Sequence, residues 1–199
     1  MRIITDQAPI ELDPEDDEHR VALAATGRFG AQAAGALPIS RETGRMLLVL
    51  RSDGVLEPGT WGTVSGAHKI AEAPEAAAMR ELREETGWTG DDAEIVMIPA
   101  YVFQEASFVF RNHIAIVPEE FEPSLGWEAD DHVWCTLDDL PSPLHFGIAA
   151  LLTDPESRAL IAGGWRDHVR PDDADRHSPA TPARIAAGRA DFLGENDAR

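Results

Sequence analysis

Hydrophobic residues along this chain come in short blocks set off by Gly, Pro and Asp, with one long helix-like stretch among them. Residues 31–40 are small and apolar, and RMLLVLR at 45–51 is rich in Leu and Val. Both predict buried strands, joined by a polar turn at 41–44. SDGVLEPGT reads as a loop, and TWGTVSGA as a short strand running into a glycine turn. Pro74 to Thr86 is the clearest helix. Pro74 suits the first turn, Glu75 suits the dipole there, and Gly87 stands where a helix stops. Two strand-like stretches follow, 93–103 and 107–117. A long acidic loop at 118–131 leads to a short strand at 133–136. Residues 144–153 and 156–162 read as helices. Strands on both sides of one strong helix, with more helix at the end, predict an α/β domain built on a mixed β-sheet.

The remaining segments set the expected boundaries. Residues 1–25 mix proline with charge and read as a loosely held arm; residues 26–162 form the expected domain. Residues 163–199 are polar and proline-bearing and read as a tail, in which 180–192 forms a helix if something packs on it.

Charge narrows the function. The net charge is −19, and Lys69 is the only lysine among 17 basic residues. Such a surface repels nucleic acid and anionic membrane, which makes a nucleic-acid partner the least expected. A small phosphorylated substrate stays compatible if cations neutralise the local field. The longest clean apolar run, 146–152, is far short of the ~18 residues a spanning helix needs. The first residues carry no secretory pattern, and the single cysteine, Cys135, rules out an internal disulfide. A cytoplasmic location is the expectation.

The chemistry concentrates in Arg80-Glu81-Leu82-Arg83-Glu84-Glu85. On a helix, positions 81, 84 and 85 fall within ~100° of arc. Like charges so spaced oppose the helix by roughly 0.2–0.5 kcal/mol per pair, a cost that a cation converts into binding. Hard oxygen donors suit Mg²⁺ or Mn²⁺. The alternative for a charge run alone is a solvated helix face.

The wider spacing decides between these. GAHKIAEAPEAAAMRELREETGW, residues 66–88, resembles the Nudix box, G-x5-E-x7-R-E-U-x-E-E-x-G-U with U a bulky apolar residue. Gly66, Glu72, Arg80, Glu81, Leu82, Glu84, Glu85 and Gly87 are in register; only Trp88 stands where an aliphatic is commoner. Chance agreement over the whole chain is on the order of 10⁻⁵, so the signal is specific. The resemblance implies an α/β/α sandwich around a mixed β-sheet. It also implies a metal-dependent hydrolase that cleaves the phosphoanhydride bond of a nucleoside diphosphate linked to another moiety. It gives Glu84 and Glu85 as main ligands of Mg²⁺ or Mn²⁺, and Glu81 as a further ligand or proton acceptor. Arg80 would hold the glutamates, and Glu72 would tie loop to helix. A backbone carbonyl at Ser65 or Gly66 would complete the metal's shell. Where many members have Pro-Gly-Gly, this chain has Val64-Ser65-Gly66. Family members are often dimers, so a homodimer is a further expectation.

Outside the box, family resemblance makes Glu128, six residues before Trp134, a candidate extra ligand or general base, with Glu105 as its runner-up. Trp127, in a polar loop, is the candidate base-stacking residue; Tyr101 and Phe103 read as core. Arg51 is a candidate phosphate contact, with Arg45 and Arg111 having equal claim. His68 reads as a surface residue, and His113 and His145 have no spaced partners. Two rival functions share the fold: a catalytically silent nucleotide-binding domain, and an isomerase of prenyl diphosphates. The first would be expected to lose box glutamates. The second needs a catalytic cysteine, and Cys135 is far from the box.

Overall fold

The computed structural model describes residues 32–69, 71–105 and 108–169, Glu105 by its backbone alone. The expected arm at 1–25 and the helix at 180–192 lie outside them. Seven strands make one sheet: β1 (Gln32–Ser40), β2 (Met46–Arg51), β3 (Trp61–Gly62), β4 (Val64–Ala67), β5 (Val96–Glu105), β6 (Phe108–Val117) and β7 (Ala129–Cys135). The path runs β3-β2-β1-β6-β5, with β4 paired to β1 and β7 to β2. β1 and β6 are parallel and every other pair is antiparallel, so the sheet is mixed as expected.

Helices cover both faces. On one side lies α1 (Pro74–Thr86), packed through Ala77, Ala78 and Leu82 onto Ala34, Ala36, Leu47 and Val64. Alanine on both surfaces lets the helix come close to the strands, and burying Leu82 contributes about 2 kcal/mol. On the other side, α2 (Phe146–Thr153) and α3 (Pro155–Ile161) close over Leu37, Ile39, Leu48, Ile98, Ile114 and Ile116. β1 is buried along both faces because each face has a helix layer, which explains its unbroken apolar run.

Several expectations change in detail. TWGTVSGA is not one strand ending in a turn: β3 pairs with β2 and β4 with β1. Gly66 therefore sits inside β4, opposite Ala34. The acidic loop yields residues 129–131 to β7, which β2 recruits along its free edge. The strand expected from 93 starts at Val96, after a 3-10 turn at Asp92–Glu94 capped by the Asp91 side chain. The core also continues past Ala162. Gly164–His168 form a 3-10 turn that buries Trp165, 2% exposed, in the cluster under α2 and α3. Among the described residues no helix is long and apolar enough to cross a membrane.

Candidate active site

α1 presents its acidic stripe to the β4 segment. Pro74 stands at its start, and Gly87 ends it at φ 65°, with its N–H on the Arg83 carbonyl. A side chain at Gly87 would also meet Ser124, 2.7 Å from a Cβ placed there.

Arg80 organises the stripe. Its Nε and Nη2 donate to the two carboxylate oxygens of Glu72 at 2.9 and 3.0 Å. Nη2 also reaches the Ala67 carbonyl at 2.9 Å, and Nη1 donates to Glu81 at 2.5 Å and Glu84 at 3.0 Å. Glu72 in turn accepts from the Lys69 N–H at 2.9 Å. Loop, strand end and helix are thus tied by one guanidinium, whose fork suits this multidentate work. The Arg80 hydrogen bonds hold the Glu72 carboxyl down at about 2. The same pairing, led by Glu72, raises Arg80 above its already high value.

Glu81 and Glu85 face the opposite problem. Glu81 is 7% exposed, and burial pushes its carboxyl up to about 7 despite Arg80. Its carboxylate lies against Gly66 so closely that a Cβ there would be 2.2 Å from Oε1. Gly66 thus leaves room within an ordinary strand for the Glu81 carboxylate, which any side chain there would displace. Glu85 accepts the Ser65 N–H at 2.7 Å. Desolvation holds its carboxyl well above the usual range, and the neighbouring charges of Glu128 and Glu81 push the same way. Glu84 is half-exposed and turned to Arg80.

Of the outer candidates, Glu128 and Arg51 come together with Glu85. The Ser52 N–H donates to the Glu128 carbonyl at 2.9 Å, beside a bulge where Arg51 pairs with Ala129. Burial lowers the Arg51 guanidinium, while the charges of Glu85, Glu128 and Glu57 oppose that. Arg45 instead serves the Trp134 carbonyl and Glu120, and Arg111 serves Gln32. Trp127 is 62% exposed, with one edge of its ring 3.2 Å from where a Gly54 Cβ would stand. Its ring therefore rests on the 52–60 loop and leaves much of its surface to solvent. Tyr101 packs on the core, and Phe103 meets Phe108 and Phe146. His113 is buried, and Cys135 is a buried free thiol. Nothing is described of the Glu105 side chain.

The donor chemistry fits a hard dication: the carboxyls of Glu81 and Glu85 are withdrawn from water close enough for the Glu81 charge to raise Glu85, with Glu128 adding to both, and carboxylate oxygens are the donors such an ion takes. As they lie, no three acidic or imidazole side chains among the described residues converge tightly enough to hold an ion. Arg80 holds Glu81 and Glu84, so their carboxylates must turn for all three box glutamates to share one ion.

Residues 57 and 145 were not singled out by motif. Glu57 has a left-handed backbone, φ 52°, and its carboxylate meets the start of α2: the Phe146 N–H at 3.4 Å and His145 Nε2 at 3.8 Å. Only the polar 52–60 loop beside Arg51 could have pointed to it.

A two-sided helical cover on a mixed sheet, with a glutamate helix against a glycine-bearing strand, defines the class. Residues 31–160 match the family model described as NUDIX domain, and the chain belongs to the Nudix family. A curated relative, "Putative 8-oxo-dGTP diphosphatase 3" of Mycobacterium tuberculosis, is 32% identical over 142 residues, 64% of this chain and 62% of that protein. The chain thus spans about three fifths of the curated relatives it matches. Among solved structures, the Nudix hydrolase RenU from M. smegmatis superposes with a TM-score of 0.56 at 24% identity, over 66% of this chain and 85% of that one. The NUDIX domain of Shewanella oneidensis NrtR, solved with ADP ribose, gives 0.51 at 21% identity, over 64% and 87%. At these identities the two structures show the shared fold.

Proposed function

We propose that the protein is a metal-dependent hydrolase of a phosphoanhydride bond in a nucleoside diphosphate derivative. The supporting observation is the Glu72–Arg80–Glu81/Glu84 network, in which Arg80 holds the buried Glu81 carboxylate against Gly66 while Glu85 accepts from Ser65 beside it. Glu81, Glu84 and Glu85, with a backbone carbonyl at Ser65 or Gly66, would hold Mg²⁺ or Mn²⁺. The ion neutralises the pyrophosphate and activates water when bound. Glu81 or Glu128 takes the proton of the attacking water. Arg80 keeps the carboxylates in place. Arg51 binds a phosphate, and Trp127 stacks on the base, using a face left open in its seat on Gly54.

Retention of every box glutamate favours this over a silent nucleotide-binding domain. The test is phosphate release, coupled to a phosphatase, across nucleotide sugars, dinucleoside polyphosphates and nucleoside triphosphates including 8-oxo-dGTP, with and without Mg²⁺ or Mn²⁺. Metal-dependent turnover of one class is expected. Silence across the panel, from folded protein that binds Mn²⁺, would favour the binding domain.

A further inference from the structure

The 52–60 loop is built around Arg51. The Arg51 N–H donates to the Thr60 carbonyl and its own carbonyl accepts from the Gly59 N–H, both at 2.9 Å. Its side-chain Nε donates to the Leu56 carbonyl at 2.7 Å. That carbonyl belongs to the peptide joining Leu56 to Glu57, so the backbone at Glu57 sets where the neck of the guanidinium is held. Glu57 adopts φ 52°, which side-chain-bearing residues rarely take. Two contacts hold it there. The Thr60 hydroxyl donates to the Glu57 carbonyl at 2.7 Å. The carboxylate reaches across to the first turn of α2, accepting from the Phe146 N–H at 3.4 Å.

His145 lies beside this contact without a hydrogen bond to Glu57. Its Nδ1 accepts the Gly147 N–H at 3.2 Å, which leaves the proton of the neutral ring on Nε2, 3.8 Å from the Glu57 carboxylate. Its ring also borders Gly62, where a Cβ would lie 3.4 Å from His145 Cβ and 3.7 Å from Arg51 Cδ. The start of α2 is itself fixed, since His145 N–H donates to the Trp61 carbonyl at 2.8 Å. The Glu57–Phe146 contact therefore joins the surface loop to the first turn of α2.

We propose that Glu57 is a positioning residue: by latching the 52–60 loop to the start of α2, it fixes Arg51 for a phosphate group of the substrate. The proposal rests on the reading of Arg51 as a phosphate contact. Its role is separable from general support of the fold, because an effect passing through Arg51 vanishes once Arg51 is removed.

The test titrates imidodiphosphate with Mn²⁺ into the full chain by calorimetry. Arg51→Ala should weaken binding about tenfold or more, the worth of a hydrogen bond to a charged group. Glu57→Ala should weaken it severalfold. Glu57→Gly, which tolerates the left-handed backbone and so guards against misfolding, should weaken it likewise. Glu57→Gln should restore most of the affinity. In the Arg51→Ala background, Glu57→Ala should add nothing. An additive effect there, or wild-type affinity in both Glu57→Ala and Glu57→Gly, would overturn the latch while leaving Arg51 a phosphate contact. Unchanged binding by Arg51→Ala, or no binding by the unaltered protein, would remove the phosphate contact and the proposal with it.

Discussion

The Glu81 carboxylate occupies the space that a side chain at Gly66 would need: a Cβ at Gly66 would stand 2.2 Å from Glu81 Oε1 and 2.7 Å from Oε2. Strand and helix are fitted to each other here, and the fit sets where the carboxylate proposed for proton transfer and metal binding rests before it turns toward an ion.

Gly66→Ala therefore displaces Glu81. Because β4 is anchored to β1 on both sides of Gly66, the side chain moves before the strand does. The expected result is a fall in kcat of about 10²-fold, the scale of a 1 Å misplacement at a reacting centre. Steady-state kinetics, beside a thermal melt showing a folded protein, checks this. An unchanged kcat would show that Glu81 works equally well elsewhere.

Metal should report on Glu85 through stability. Its carboxyl is raised by desolvation and by Glu128 and Glu81. A carboxyl raised in the folded state opposes folding once the pH exceeds its ordinary value, because folding then confines a charge that water would stabilise better. A bound dication relieves that opposition and raises the Tm at pH 8 by about 5 °C or more. Metal-free Glu85→Gln should melt above the parent protein, and its Tm should respond little to Mn²⁺. Equal Mn²⁺ responses in the two proteins would separate Glu85 from the metal.

Glu72 gives the opposite sign. Arg80 holds its carboxyl at about 2, below the ordinary 4.5. Its contribution to stability is fully present above pH 4.5 and is lost as the pH falls toward 2. Urea unfolding of the parent and of Glu72→Gln should show a constant gap from neutral pH down to about 4.5, narrowing below it. A gap that persists unchanged into that acid range would mean that the ionised Glu72–Arg80 pair is not its source.

Much of this was legible in the sequence because the box fixes residue types at intervals that helix geometry converts directly into neighbours. Arg80, Glu81, Glu84 and Glu85 lie on one helix, so their mutual contacts needed no knowledge of the tertiary fold. The strand identities of 32–40 and 46–51 were likewise readable, since burial on both faces leaves continuous apolar runs. What stayed hidden depends on contacts between distant segments. Gly66 reads as a turn residue in isolation, and only the Glu81 carboxylate against it shows why glycine stands inside a strand. Glu57 has no local signature for a left-handed backbone; besides Thr60, its carboxylate meets Phe146, on another element. Three arginines were equivalent until the β2–β7 pairing set Arg51 beside Glu128. Trp165 lay in a polar stretch, and its burial depends on the underside of α2 and α3.

The most direct test of the central proposal is kcat of Glu85→Gln against the parent protein, with saturating Mn²⁺ and a substrate that the parent turns over. The two side chains have nearly the same shape, so the exchange removes a charge and little else. A loss of about 10³-fold or more, in a variant that stays folded, is expected if Glu85 holds the metal that activates the reaction. Turnover at the parental rate would contradict that role and move the metal, and with it the chemistry, to other residues.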